Sequence, residues 1–227
     1  MEAQSERREV VAVCRRLYER GLIAGPDGNV SVRLASGRLL VTPSGMSKGE
    51  LTESDLIIIE PDGRHVAGRP RASSEVRIHL RIYERRPDVR AVVHAHPPVA
   101  TGFAVAGEDF MAPVLPEVIL QMGGVPLVPY CTPGSSDLAH AFDPYLPHHD
   151  AFLMANHGAT TVGATLTAAH QRMESLEHAA RILLSARQLG RVTPLTGEHV
   201  HSLEALRIEA KQIDSARRPS QSEGPGR

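Results

Sequence analysis

Tryptophan is absent from this 227-residue chain, and it has two Cys, four Tyr and four Phe. Two thiols, Cys14 and Cys131, make neither a disulfide framework nor a four-cysteine zinc site, and a reducing cytoplasm is the expected location. An excess of one charge is also missing: 25 Lys+Arg stand against 26 Asp+Glu, a formal net charge of -1. That balance gives no electrostatic case for a nucleic-acid or membrane partner. No apolar run approaches the ~18 residues of a membrane span. The N-terminal MEAQSERREV is charged and has no apolar stretch, so no secretory signal is expected. What is present is 41% hydrophobic and 22% charged residues, which supports a packed core. The length suits one domain, or at most two small ones. Twelve histidines are the feature that calls for an account.

Hydrophobic spacing gives the organisation. Val10, Val13, Cys14, Leu17 and Tyr18 recur at steps of three and four, an amphipathic helix closed by Gly21. Further helices are expected over 74–86, 116–122, 135–142, 166–189 and 202–214. Strands are expected around Val30 and Val32 and over 38–42, 55–60, 89–96, 126–130 and 151–156. This alternation argues a single α/β domain over 1–214, with helices on both sides of a sheet whose strand order is not readable. The remaining segment, 215–227, is polar and rich in Pro, Gly and Ser, and is expected to be disordered.

His94-Ala95-His96 ends the apolar run Val89 to Val93. In a strand, residues two apart share a face, so both imidazoles project together from a strand end, where α/β proteins build their sites. Two such rings begin a site for a divalent metal such as zinc, unless they are two polar residues on a solvated face. His157 follows the apolar AFLMAN and suits a third ligand from another strand, or a satisfied core histidine. The other histidines make weaker candidates. His199 and His201 open a helix, where two steps turn about 200°. His148-His149-Asp150 reads as a solvated turn. His79, His170 and His178 sit at helical spacing from charged neighbours.

Ser73-Ser74-Glu75 offers hydroxyls and exposed amides at a helix start, an anion cradle, although Glu75 could serve only its own helix. Gly28-Asn29 and Ser44-Gly45 are two further small polar turns beside strands. Alone each is an ordinary turn; together they supply the short donors and close backbone access that a phosphate ester needs.

The ordered set GNVSVR, TPSG, SSE, HAHPP and NHG resembles the class II aldolase/adducin family over residues 6–190, and within it the L-fuculose-1-phosphate aldolase branch. The resemblance implies a three-layer α/β/α sandwich around a central mixed sheet, one Zn²⁺ per subunit, and a homotetramer with active sites at subunit boundaries. It implies that His94, His96 and His157 bind zinc. Glu75 would be the acid/base and a fourth ligand when substrate is absent. Gly28, Asn29, Ser44, Gly45, Ser73 and Ser74 would hold the phosphate of a small sugar-phosphate substrate. The implied reaction cleaves a ketose 1-phosphate to dihydroxyacetone phosphate and a short aldehyde through a metal-stabilised enediolate. A sugar-phosphate dehydratase or 4-epimerase is the alternative, and a non-catalytic adducin-like scaffold suits the intact histidines least. The sequence departs from the branch at one point. A Tyr that acts there from a neighbouring subunit is missing from LPEVILQMGG, which offers Glu117 instead as an acid or as the mark of a different substrate.

Overall fold

The computed structural model describes residues 3–68 and 71–216. In chain order the elements are helix α1 (Gln4–Glu19), strands β1 (Asn29–Arg33), β2 (Leu39–Val41), β3 (Ile57–Ile59) and β4 (His65–Ala67), helix α2 (Val76–Arg85) and strand β5 (Ala91–Ala95). Helices α3 (Pro98–Val105) and α4 (Pro116–Met122), strand β6 (Leu127–Val128), helix α5 (Ser136–Ala141), and strands β7 (Ala151–Met154) and β8 (Gly158–Gly163) follow. Helices α6 (Leu166–Gln188) and α7 (Gly197–Ala216) close the order. The eight strands form one sheet, β4-β3-β2-β1-β5-β8-β7-β6. It is mixed: β6 runs parallel to β7 and the other pairs are antiparallel.

Period-two alternation divides the core between the two faces of the sheet. Val30, Val32, Leu40, Ile58, Ala91, Val93 and Ala95 pack with α1, α3 and α6 on one face. Leu39, Val41, Ile57, Ile59, Val92, Phe152 and Val162 pack with α2 and α5 on the other. The result is three layers, α/β/α. Because Ala95 belongs to the first face, His94 projects to the second, beside α2.

Several elements differ from the sequence expectation. Pro97-Pro98, read as a stop, opens α3: Pro98 takes the first helical position, where a missing N–H costs nothing. The cap comes from far along the chain. The buried carboxylate of Glu177 on α6 accepts the amides of Val99 at 3.1 Å and Ala100 at 2.9 Å. Strands β4 and β8 were not expected. Helix α7 starts earlier than expected and runs to Ala216, two residues into the segment assigned to a tail; 217–227 lie outside the described residues. Among the described residues no helix is long and apolar enough to cross a membrane.

The turn at His148-His149-Asp150 is not solvated as expected. Asp150 is 2% exposed and is met by Arg86 at 2.8 Å, Arg207 at 2.9 Å, Lys211 at 2.8 Å and Arg172 at 3.9 Å. Burial alone would raise the carboxyl pKa, but these cations outweigh it and hold it at about 2. Arg207 and Lys211 lie on α7, so Asp150 ties the last helix to the sheet.

Candidate metal centre

Strand β5 carries His94 to the edge of the α2 face, and His96 follows one residue past its end, as the spacing implies. Their ring centroids are 5.0 Å apart, and their Nε2 atoms 3.1 Å. His157 arrives from the β7–β8 hairpin. Its loop is closed by Asn156 in the left-handed region (φ 55), a conformation Asn tolerates better than most residues. The His157 ring lies 4.9 Å from that of His94 and 5.2 Å from that of His96. The three rings offer ligand atoms that all fall within 4.8 Å of one another.

Glu75 immediately precedes α2 and closes the group. Its Oε1 lies 2.9 Å from His157 Nε2 and its Oε2 3.5 Å from His94 Nε2. The β1–β5 register sets Asn29 opposite His94, and Asn29 Nδ2 donates to Glu75 Oε2 at 2.8 Å. The cluster is sheltered: side-chain exposure is 1% for His94, 12% for His157, 15% for Glu75 and 27% for His96.

The outer nitrogens explain what the inner ones are for. His94 Nδ1 donates to the carbonyl of Ala159 at 2.9 Å, which puts the proton there and leaves Nε2 a bare lone pair. His96 Nδ1 faces the carboxylate of Asp27 at 3.6 Å, which favours the same tautomer. Two bare lone pairs 3.1 Å apart repel unless a cation lies between them. Metal-binding histidines show this arrangement, the outer N–H on a carbonyl or carboxylate. Burial lowers the His94 pKa to about 3 and also lowers that of His96, keeping both rings neutral as ligands must be. For Glu75 burial acts upward, but the contact with His157, the electrostatic pull of the neighbouring rings and the Asn29 hydrogen bond prevail and hold its pKa at about 2. The residues present therefore fit a divalent cation with a carboxylate base at its side.

The expected phosphate residues gather close by. An antiparallel bridge joins Pro43 to Ala72, and the Ser44 amide bonds the Arg71 carbonyl at 2.9 Å, so the Ser44-Gly45 turn lies beside the segment entering Ser73-Ser74. Gly28, with φ +70, lies under β5: a Cβ there would stand 2.8 Å from the His94 carbonyl. Ser73 Oγ accepts from the Glu75 amide at 3.3 Å rather than standing free. Glu117 is not brought into the cluster. It is exposed in the first turn of α4 and has no hydrogen bond or ion pair among the described residues. Two clefts, of about 260 and 530 Å³, flank α4 against α6 and α7, and no expected site residue lines either.

Sequence reasoning passed over Asp27, Lys48 and Glu177. Asp27 precedes Gly28-Asn29 directly, and Lys48 lies three residues beyond Gly45, so adjacency to the motifs was the available signal. Glu177 had none, being 77 and 78 residues from the amides it caps.

Comparison with known proteins gives the family. The pattern described as Class II Aldolase and Adducin N-terminal domain matches residues 8–184. A 3-oxo-tetronate 4-phosphate decarboxylase of Escherichia coli is 35% identical over 184 residues, 79% of this chain and 86% of that protein. An L-fuculose phosphate aldolase of Methanococcus maripaludis is 34% identical over 175 residues, 77% of this chain and 93% of that protein. A solved L-fuculose 1-phosphate aldolase superposes with a TM-score of 0.84 at 30% identity, covering 90% of this chain and 97% of its own. With relatives that are aldolases and decarboxylases on one side and a histidine–carboxylate cluster on the other, the chain belongs to the class II aldolase/adducin family and is an enzyme.

Proposed function

We propose that the protein is a Zn²⁺-dependent lyase that cleaves a ketose 1-phosphate to dihydroxyacetone phosphate and a short aldehyde. The observation that carries the reading is the convergence of three Nε2 atoms beside the Glu75 carboxylate. Three neutral imidazoles are a zinc-type ligand set that would leave the full double charge on the ion, and the Glu75 carboxylate beside them would offset part of it until substrate takes its place. A bound zinc ion supplies Lewis acidity at the substrate oxygens, stabilising an enediolate.

The chain's own groups do the rest. Gly28, Asn29, Ser44, Gly45, Ser73 and Ser74 grip the phosphate and orient the ketone, so that remote binding energy serves turnover. In cleavage the sugar-side hydroxyl gives up its proton, the carbon–carbon electron pair moves onto the ketose carbon, and the aldehyde leaves. Glu75, itself ionised at rest, then relays a proton from solvent to that carbon; in the synthetic direction its carboxylate removes that proton. Glu117 is the acid/base for the aldehyde oxygen. Its exposure within one chain suits service to the site of a neighbouring copy, as a homotetramer with active sites at subunit boundaries provides.

One observation favours a second reading. Among the described residues Glu75 is the carboxylate at the inner nitrogens of the histidines, Asp27 lying at the outer nitrogen of His96, and loss of CO₂ needs no base on a hydroxyl. A 3-oxo-tetronate 4-phosphate that loses CO₂ leaves the same three-carbon enediolate, so one site serves either reaction with the same proton return. Incubation of zinc-loaded protein with ketose 1-phosphates and with a 3-oxo acid 4-phosphate, scored for dihydroxyacetone phosphate, aldehyde and CO₂, separates them. Aldehyde release supports the first reading, CO₂ release the second, and neither product from any substrate rejects both.

A further inference from the structure

Lys48 is 2% exposed. Its ammonium donates to the carbonyls of Pro26 at 2.8 Å and Met46 at 2.9 Å, and its amide to the carbonyl of Gly25 at 3.3 Å. It forms no ion pair among the described residues. Taking an ammonium out of water is costly, and a carboxylate in contact is the usual compensation. Here two carbonyls make the direct contacts; burial lowers the ammonium pKa, and against it Asp27 and Glu75 favour the charged form from beyond ion-pair distance.

Those carbonyls belong to the two turns that hold the candidate phosphate residues. Pro26 leads into Gly28-Asn29, and Met46 follows Ser44-Gly45. The second turn is in turn bridged, through Pro43 and Ala72, to the segment entering Ser73-Ser74. One buried cation therefore ties two of the three segments directly, and the third follows through the bridge. An ammonium has three N–H donors, and the two carbonyls occupy two of them.

We propose that Lys48 is a positioning residue for the substrate phosphate: it clamps the two turns at the separation a phosphate dianion needs and adds positive charge behind them. This rests on the sugar-phosphate reading above. Its Nζ touches backbone, not the histidines, and reaches the zinc ligands only through Asp27 and Asn29 on the same turn, so its loss bears more on phosphate than on zinc.

The test uses zinc-loaded full-length protein, with inorganic phosphate as the probe in titration calorimetry and zinc affinity measured by chelator competition. In K48M and K48Q phosphate binding weakens about 10–100-fold, the range expected when hydrogen bonds from a charged group are lost. Zinc affinity falls far less than phosphate affinity. K48Q keeps an amide donor for one carbonyl and keeps the test readable if K48M does not fold. Wild-type phosphate affinity in folded K48Q overturns the assignment, as does a parallel loss of zinc, which marks general loosening. A wild-type protein that binds no phosphate removes the sugar-phosphate reading and this assignment together.

Discussion

Gly158 and His96 are packed so closely that a Cβ on the glycine would stand 2.5 Å from His96 Cδ2 and 2.7 Å from the Ala95 carbonyl. The glycine of the NHG motif is thus the space into which the second histidine fits. Gly158→Ala is expected to displace the His96 ring and weaken zinc binding about 10–100-fold, as changes around metal ligands do. Chelator competition on the folded variant measures it, and an unchanged affinity would contradict this packing account.

Glu75→Gln keeps the shape of the site and one hydrogen-bonding oxygen but removes the proton carrier. Zinc content should persist while kcat falls about 10²–10⁴-fold, the usual contribution of a positioned acid/base. Elemental analysis and steady-state kinetics on one preparation check both halves.

Glu117 is exposed in its own chain, so its proposed role is tested between chains. Inactive Glu75→Gln and Glu117→Gln proteins, dissociated and reassembled together, should recover activity, because mixed boundaries pair an intact Glu75 with an intact Glu117. No recovery from demonstrably mixed assemblies would count against a Glu117 acid supplied by a neighbour.

Buried His79 gives a pH dependence with a definite sign. Burial lowers its pKa from 6.5 to about 4. Between those values the unfolded chain binds the proton more readily, so stability rises with pH. His79 contributes fully above 6.5 and loses that contribution, about 3 kcal/mol, as pH falls through 4. Asp150, lowered from 3.8 to about 2, loses its contribution below that window. Urea midpoints of chelator-treated protein should fall from pH 7 to pH 4, and less in His79→Gln; identical slopes would remove His79 as the cause.

The histidines and Glu75 were legible because their signals are local. His94 and His96 share a face by strand periodicity, and the turn glycines and serines lie beside recognisable strands. Strand β8 was not, because GATTVG has no apolar alternation. Its threonines are buried between β5 and β7, and Thr161 Oγ1 is satisfied by the Ala169 carbonyl at 2.8 Å. Helix α3 was missed because its cap is supplied by α6. Strand β4 is a short exposed edge with little burial to mark it. Asp150 read as a solvated turn because its cations come from α2, α6 and α7, and such convergence leaves no trace in spacing.

Asp150→Asn should remove the carboxylate that Arg207 and Lys211 share with Arg86, which keeps Asp88, and cost about 3–5 kcal/mol, the range for breaking a buried ion pair. Hydrogen exchange should show α7 losing protection before the sheet. Uniform loss across the molecule would instead mean that α7 is held by its packing on α4.

The same aspartate bears on how the chain assembles during synthesis. Asp150 and Arg86 leave the ribosome well before Arg207 and Lys211, so the nascent sheet carries a carboxylate with part of its eventual escort. Helix α7 then does more than cover a surface: it delivers the countercharge that lets this corner of the molecule dry out, and closure there waits on the synthesis of α7.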